Sequence, residues 1–167
     1  KISQSDRVKQ VFVAPGNAGT AQDAENVDIA TGDFPRLIKF AQQNDVGLTV
    51  VGPEAPLAAG IVDAFGQAKL RIFGPSKAAA HLEASKVFCK TLLRNADVPT
   101  AECRVFRDAE SATKFVMDRY PKGDEQVPLV IKADGLAAGK GVIVCSRRHE
   151  AIEAIERIAG KREFGKA

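Results

Sequence analysis

The sequence has no Trp, a single Tyr and an aromatic content of 6%. It therefore has little material for the stacked aromatic platforms that hold single-stranded nucleic acid. Charge of one sign is also scarce. Lys+Arg 24 against Asp+Glu 21 leaves a net charge of +3, too mild to imply a polyanionic partner. Arg147, Arg148, Lys161 and Arg162 form only small clusters, so no nucleic acid is expected as a partner. No apolar run approaches the roughly 18 residues of a membrane span, and the first residues carry no secretion signal, so no membrane partner is expected. Cys89, Cys103 and Cys145 are odd in number and far apart. Without CxxC or Cys/His spacing they read as free or buried thiols in a reducing, cytoplasmic setting. His81 and His149 stand alone, which leaves no Ser-His-Asp or metal pairing to build and places both at the surface. No internal repeat or low-complexity tract is present.

What remains is an ordinary globular composition, 45% hydrophobic and 27% charged, at a length that suits one sizeable core or two small ones. The most informative stretch is Val127 to Cys145, VPLVIKADGLAAGKGVIVC. It reads as strand, glycine-rich segment, strand. Gly135, Gly139 and Gly141 let the backbone visit positive φ and approach a ligand. Successive N–H groups there can form an anion cradle, with Lys132 before it and Lys140 within it. A Walker A loop it is not. That loop needs four residues between its glycines, a hydroxyl after the lysine and a helix behind. Here three residues separate Gly135 from Gly139, Gly141 replaces the hydroxyl, and a strand follows. Spacing alone leaves two readings open, a phosphate flap and a long hairpin with a flexible tip.

Upstream, strands are expected at Val11–Ala14, Val27–Ala30, Leu48–Val51 and Ile72–Phe73. Helices are expected from Asp33, an N-cap with Pro35 behind it, and over Leu57–Ala68. This alternation implies a doubly wound α/β unit with a parallel sheet. Its loops Pro15–Thr20 and Gly52–Pro56 follow strands, at the end where open α/β sheets bind ligands. Glu54 then sits at a strand-to-helix turn. It is either an acid placed by the helix dipole or a carboxylate accepting from a substrate. A short helix follows Ser76, and a second runs from Ala84 to Asn95 with Val87, Phe88, Thr91 and Leu92 inward. Lys86 in its first turn opposes the dipole, a local conflict of the kind that marks function. From Cys103 the order becomes β-α-β-β-α. Strand Cys103–Phe106 precedes helix Ala109–Tyr120, and helix His149–Ala159 carries an i,i+4 pair, Glu153 with Arg157. The second sheet should contain an antiparallel pair, and the boundary between the two units is expected near Thr100.

Four blocks occur in order: APGNAGTA (Ala14–Ala21), VGPEAPLAAGIVD (Val51–Asp63), IFGPSKAAAHLEASK (Ile72–Lys86) and VIKADGLAAGKGVIV (Val130–Val144). Together they resemble the phosphoribosylamine–glycine ligase family, the glycinamide ribonucleotide synthetases of the ATP-grasp superfamily, along essentially the whole chain. The resemblance implies a pre-ATP-grasp domain over residues 1–75, a helical linker over 76–102 and an incomplete ATP-grasp lid subdomain over 103–167. It implies ATP contacts from Lys86, Lys132, Gly135, Ala138, Gly139, Lys140 and Gly141, and substrate-side contacts from Gly16, Asn17, Gly52, Pro53 and Glu54. It further implies an ATP-dependent ligase of purine biosynthesis. Such an enzyme joins glycine to 5-phosphoribosylamine through glycyl phosphate, with Mg²⁺ or Mn²⁺ as cofactor. Another ATP-grasp carboxylate–amine ligase and a non-catalytic nucleotide-binding module are the competing readings. The first residue is not Met, and the family's first strand and metal ligands have no counterpart in the sequence. The expectation is a segment truncated at both ends, inactive alone and partnered by the remainder of its polypeptide.

Overall fold

In the computed structural model, residues 1–123, 126–137 and 140–165 are described. The chain divides into two compact units, Lys1–Ala80 and His81–Ala167.

The first unit alternates short strands with helices. Strand β1 (Phe12–Val13) pairs in parallel with β2 (Glu25–Asn26), Phe12 opposite Glu25. The strand expected at Val27–Ala30 is therefore two residues early. The Val27 amide still reaches the Val13 carbonyl, but the Ile29 amide turns back to the Val27 carbonyl at 2.7 Å. That turn drives Ile29 into the interior. Helix α1 (Phe34–Gln43) starts at Asp33, whose carboxylate accepts from the Arg36 amide at 3.2 Å. Strand β3 (Thr49–Val50) leads to α2 (Glu54–Ala59) and α3 (Ile61–Gln67), then to β4 (Ile72–Phe73), parallel to β3. This is a β-α-β crossover, as a parallel pair requires.

The single helix expected over Leu57–Ala68 is two. Gly60 adopts φ +99°, and its amide bonds the Pro56 and Leu57 carbonyls, which ends α2 in a left-handed cap. The helices still share one core. Ala41, Ile61 and Phe65 are buried there, with Leu37, Ile38, Leu57, Val62 and Ile72 against them.

Helix α4 (Lys77–Ala84) crosses the division between units, and α5 (Lys86–Asn95) belongs to the second. Phe88 and Leu92, expected inward, are exposed. Phe88 contacts His81, ring centroids 4.4 Å apart. Cys103–Phe106 forms no strand among the described residues, although its composition suits one. A strand needs a neighbour for its backbone, and Phe106 instead contacts the ring of Phe115. Helix α6 (Ala109–Arg119) is capped by Asp108. Strands β5 (Gln126–Lys132) and β6 (Val142–Arg147) form the expected antiparallel pair, Leu129 opposite Cys145 and Lys132 opposite Val142. The register shifts between Gln126 and Leu129, where Pro128 has no N–H for a ladder.

Helix α7 (Arg148–Ile155) continues into a wider turn over Glu156–Gly160. Arg157 pairs with Glu163 at 2.9 Å rather than with Glu153. The wider turn replaces the regular spacing on which an i,i+4 pair depends. Ala112 and Val116 of α6, Val127 and Cys145 of the strands, and Ala151, Ala154 and Ile155 of α7 make the second core. Burial, with the Glu150 carboxylate nearby, pushes the Cys145 thiol above its usual range. No described helix is long and apolar enough to cross a membrane.

Candidate functional site

The β5–β6 pair has two unlike faces. Leu129, Ile131, Ile143 and Cys145 lie with the core under α6 and α7. Strand alternation puts Val130, Lys132, Val142 and Val144 on the other face. Register confirms it, because Val130 stands opposite Val144 and Lys132 opposite Val142. All four are exposed, the valines at 48%, 45% and 75% in chain order. The result is an aliphatic strip that ends in a lysine.

Beyond Lys132 the chain enters the glycine segment. Gly135 turns at φ +91°, a conformation that side chains disfavour. Gly141 closes the segment. Its carbonyl accepts from the Ala133 amide at 2.7 Å, and a Cβ on it would lie 2.7 Å from that of Ala137 and 2.9 Å from that of Ala133. Only glycine fits there. The Lys140 amide donates to the Ala137 carbonyl at 2.9 Å, while its side chain is exposed. Ala138 and Gly139, expected ATP contacts, lie outside the described residues.

The start of α5 meets this segment. Lys86 Nζ donates to the Gly135 carbonyl at 2.9 Å, which brings together two expected ATP contacts that lie far apart in sequence. Beside them is a link that the sequence did not announce. Ser85 Oγ donates to Asp134 Oδ2 at 3.0 Å, and the Val87 amide donates to Asp134 Oδ1 at 3.2 Å. Ser85 Oγ also accepts from the Phe88 amide at 3.0 Å as the N-cap of α5. Serine directly before the helix was the available signal for the cap. Nothing local pointed to Asp134. The i, i+2 alternation of the strands was the available signal for the open valine strip.

In the first unit, Gly16 has φ +78°, and a Cβ there would meet the Asn26 side chain at 2.2 Å. Asn17 Oδ1 accepts from the Gly19 amide at 2.8 Å and the Thr20 amide at 3.1 Å. Its carbonyl accepts from Asn26 Nδ2 at 2.7 Å. These two residues thus shape their own loop. Pro53 is the N-cap of α2, and Glu54 is its first residue, exposed. Gly52 is exposed with open space where a Cβ would stand. A cavity of about 540 Å³ lined by Lys90, Arg94, Thr100, Glu102 and Arg104 contains none of the expected site residues. Among the described residues no three His, Cys, Asp or Glu side chains cluster to hold a metal ion.

The second unit, with its antiparallel strand pair, glycine-rich segment and helices on one face, matches an ATP-grasp domain. The fold is also similar to a solved structure, the biotin carboxylase domain of Hydrogenobacter thermophilus 2-oxoglutarate carboxylase in complex with MgADP, ADP and bicarbonate. It matches at TM-score 0.59 and 18% identity over 78% of this chain and 29% of that one. The chain belongs to the phosphoribosylglycinamide synthetase family. The family's N domain matches residues 1–83, and its ATP-grasp (A) domain matches residues 84–167. Similar curated proteins include the phosphoribosylamine–glycine ligases of Rhodopirellula baltica, 60% identical, and Haemophilus influenzae, 52% identical. Each match covers 100% of this chain and 38% of the relative. The phosphoribosylamine–glycine ligase structure from Thermotoga maritima matches at TM-score 0.65 and 28% identity, over 99% of this chain and 37% of that one. The chain thus spans under two fifths of the length of these relatives.

Proposed function

We propose that this chain supplies the substrate-side domain and the nucleotide-holding hairpin of an ATP-dependent ligase that joins glycine to 5-phosphoribosylamine. The observation that carries the nucleotide part is the valine strip ending in Lys132, with Lys86 fixed on the neighbouring glycine segment. A purine base suits the aliphatic strip, since nucleotide sites are largely apolar with a few placed polar groups. The triphosphate then extends toward the side chains of Lys132, Lys86 and Lys140, where cations stabilise a transferring phosphoryl group. The family membership supports the choice of reaction.

The chemistry is that of carboxylate activation. A glycine carboxylate oxygen attacks the γ-phosphorus of ATP, the bond to the bridging oxygen breaks, and ADP leaves. Glycyl phosphate results. The amine of 5-phosphoribosylamine attacks the acyl carbon, phosphate departs, and the amine loses a proton as glycinamide ribonucleotide forms. In this reading the chain's lysines position the phosphates and offset their charge. Magnesium would add Lewis acidity there when bound. Gly16, Asn17, Gly52, Pro53 and Glu54 shape the side that takes 5-phosphoribosylamine. The three free thiols suit a reducing cytoplasm.

Lys132→Ala in a full-length ligase carrying this sequence tests the nucleotide reading. Loss of one charge-stabilising donor lowers kcat/KM for ATP by roughly a hundredfold. An unchanged kcat/KM rejects it.

A further inference from the structure

We propose that Asp134 is a positioning residue for the nucleotide phosphates, acting by tying the root of the glycine segment to the first turn of α5 so that Lys86 is held beside it. This rests on the nucleotide reading of the hairpin.

The geometry is that of a split cap. A helix leaves its first amides without partners. In α5 the Phe88 amide is taken by Ser85 Oγ, one residue before the helix, and the Val87 amide by Asp134, which lies far along the chain. Ser85 accepts from one group and donates to the other, so cap and tether share one hydroxyl. The carboxylate also answers the electrostatic conflict at Lys86. A cation at the first position of a helix opposes the macrodipole, and an anion on the same turn offsets both.

Asp134 immediately precedes Gly135, where the chain turns and whose carbonyl receives the Lys86 ammonium. The lysine's partner is thus a neutral carbonyl, attached to a residue the carboxylate has already fixed. A phosphate oxygen is the stronger acceptor, because charge-assisted hydrogen bonds exceed neutral ones. Lys86 can exchange that carbonyl for a phosphate while the Asp134–Ser85 link keeps helix and segment in register. Asp134 touches no substrate in this scheme. It sets where the lysine starts.

The test uses a full-length ligase carrying this sequence, with initial rates over a range of ATP. Asp134→Ala is expected to raise KM for ATP roughly tenfold to hundredfold, the scale of a misplaced contact, with a smaller change in kcat and little change in KM for glycine. Asp134→Asn keeps an acceptor for the Val87 amide and is expected to restore most of that loss. Ser85→Ala should raise KM for ATP in the same direction, and the double variant should be no worse than Asp134→Ala, as expected for one shared link. A KM for ATP within twofold of wild type in Asp134→Ala, with Lys132→Ala impaired, overturns the proposal and leaves the nucleotide reading standing. If Lys132→Ala is itself unimpaired, the nucleotide reading falls and this proposal with it. Should Asp134→Ala fail to fold, Ser85→Ala decides. An unchanged KM for ATP there overturns the tether, and a raised one supports it.

Discussion

The carbonyl of Gly141 accepts the amide of Ala133 at 2.7 Å, and these two residues are packed so closely that a Cβ on the glycine would stand 2.9 Å from that of Ala133. Ala133 is buried, so it has little room to yield. Gly141→Ala is expected to destabilise the chain by roughly 1–3 kcal/mol, the usual cost of overpacking. Gly52→Ala meets open space and should leave the midpoint nearly unchanged. Thermal denaturation of both variants checks this. Equal shifts would show that the Gly141 contact is not what limits the site.

The two faces of the strand pair make opposite demands on substitution. Val144→Asp places a charge on the most exposed position of the valine strip. Stability should change by no more than about 0.5 kcal/mol, as for other surface positions. In a full-length ligase KM for ATP should rise, because an anion on an apolar base platform loses packing and gains desolvation cost. Steady-state kinetics beside a melting curve separate the two effects. A lower melting point with an unaltered KM would place the strip in the core instead.

Glu54 opens α2 with its carboxylate exposed. Glu54→Gln in a full-length ligase should weaken use of 5-phosphoribosylamine by roughly tenfold, the scale of a charged hydrogen bond, and leave ATP nearly untouched. Equal losses for the two substrates would assign Glu54 to the helix dipole alone.

Asp108 accepts from the Ser111 amide at 2.7 Å and the Ser111 hydroxyl at 2.8 Å. The backbone bond first, and the hydroxyl second, hold its carboxyl below the usual aspartate range. A depressed value means that the unfolded chain binds the proton more readily, so the cap stabilises the fold above about pH 4 and fades as the pH falls below it. Asp108→Ala should therefore melt a few degrees lower at about pH 7 and approach wild type at about pH 3. Calorimetry at the two pH values checks the sign. A gap that widened in acid would contradict it.

Much of this was legible in the sequence because the signals were local. Alternating strands and helices announced the first unit, and Asp33 with Pro35 announced the start of α1. The strand–glycine–strand stretch appears as an antiparallel pair with Gly135 in a left-handed turn. Misread features depended on partners. Val27–Ala30 and Cys103–Phe106 have strand-like residues, but pairing is decided by where a neighbouring ladder reaches. Gly60 could have been a tolerated helical glycine, and only its φ of +99° shows it to be a break. Phe88 and Leu92 follow helical spacing yet are exposed, because periodicity predicts a face and not what covers it. The Asp134–Ser85 link escaped for the same reason. Its two ends are 49 residues apart, and no window of sequence contains both.

The open valine strip carries a cost in design. A hairpin covered on one face draws its cohesion from α6 and α7 alone, and larger apolar groups on the uncovered side would look like an easy improvement. If the strip holds the base as proposed, any such gain would fill its space, and robustness and nucleotide binding would compete for the same few side chains.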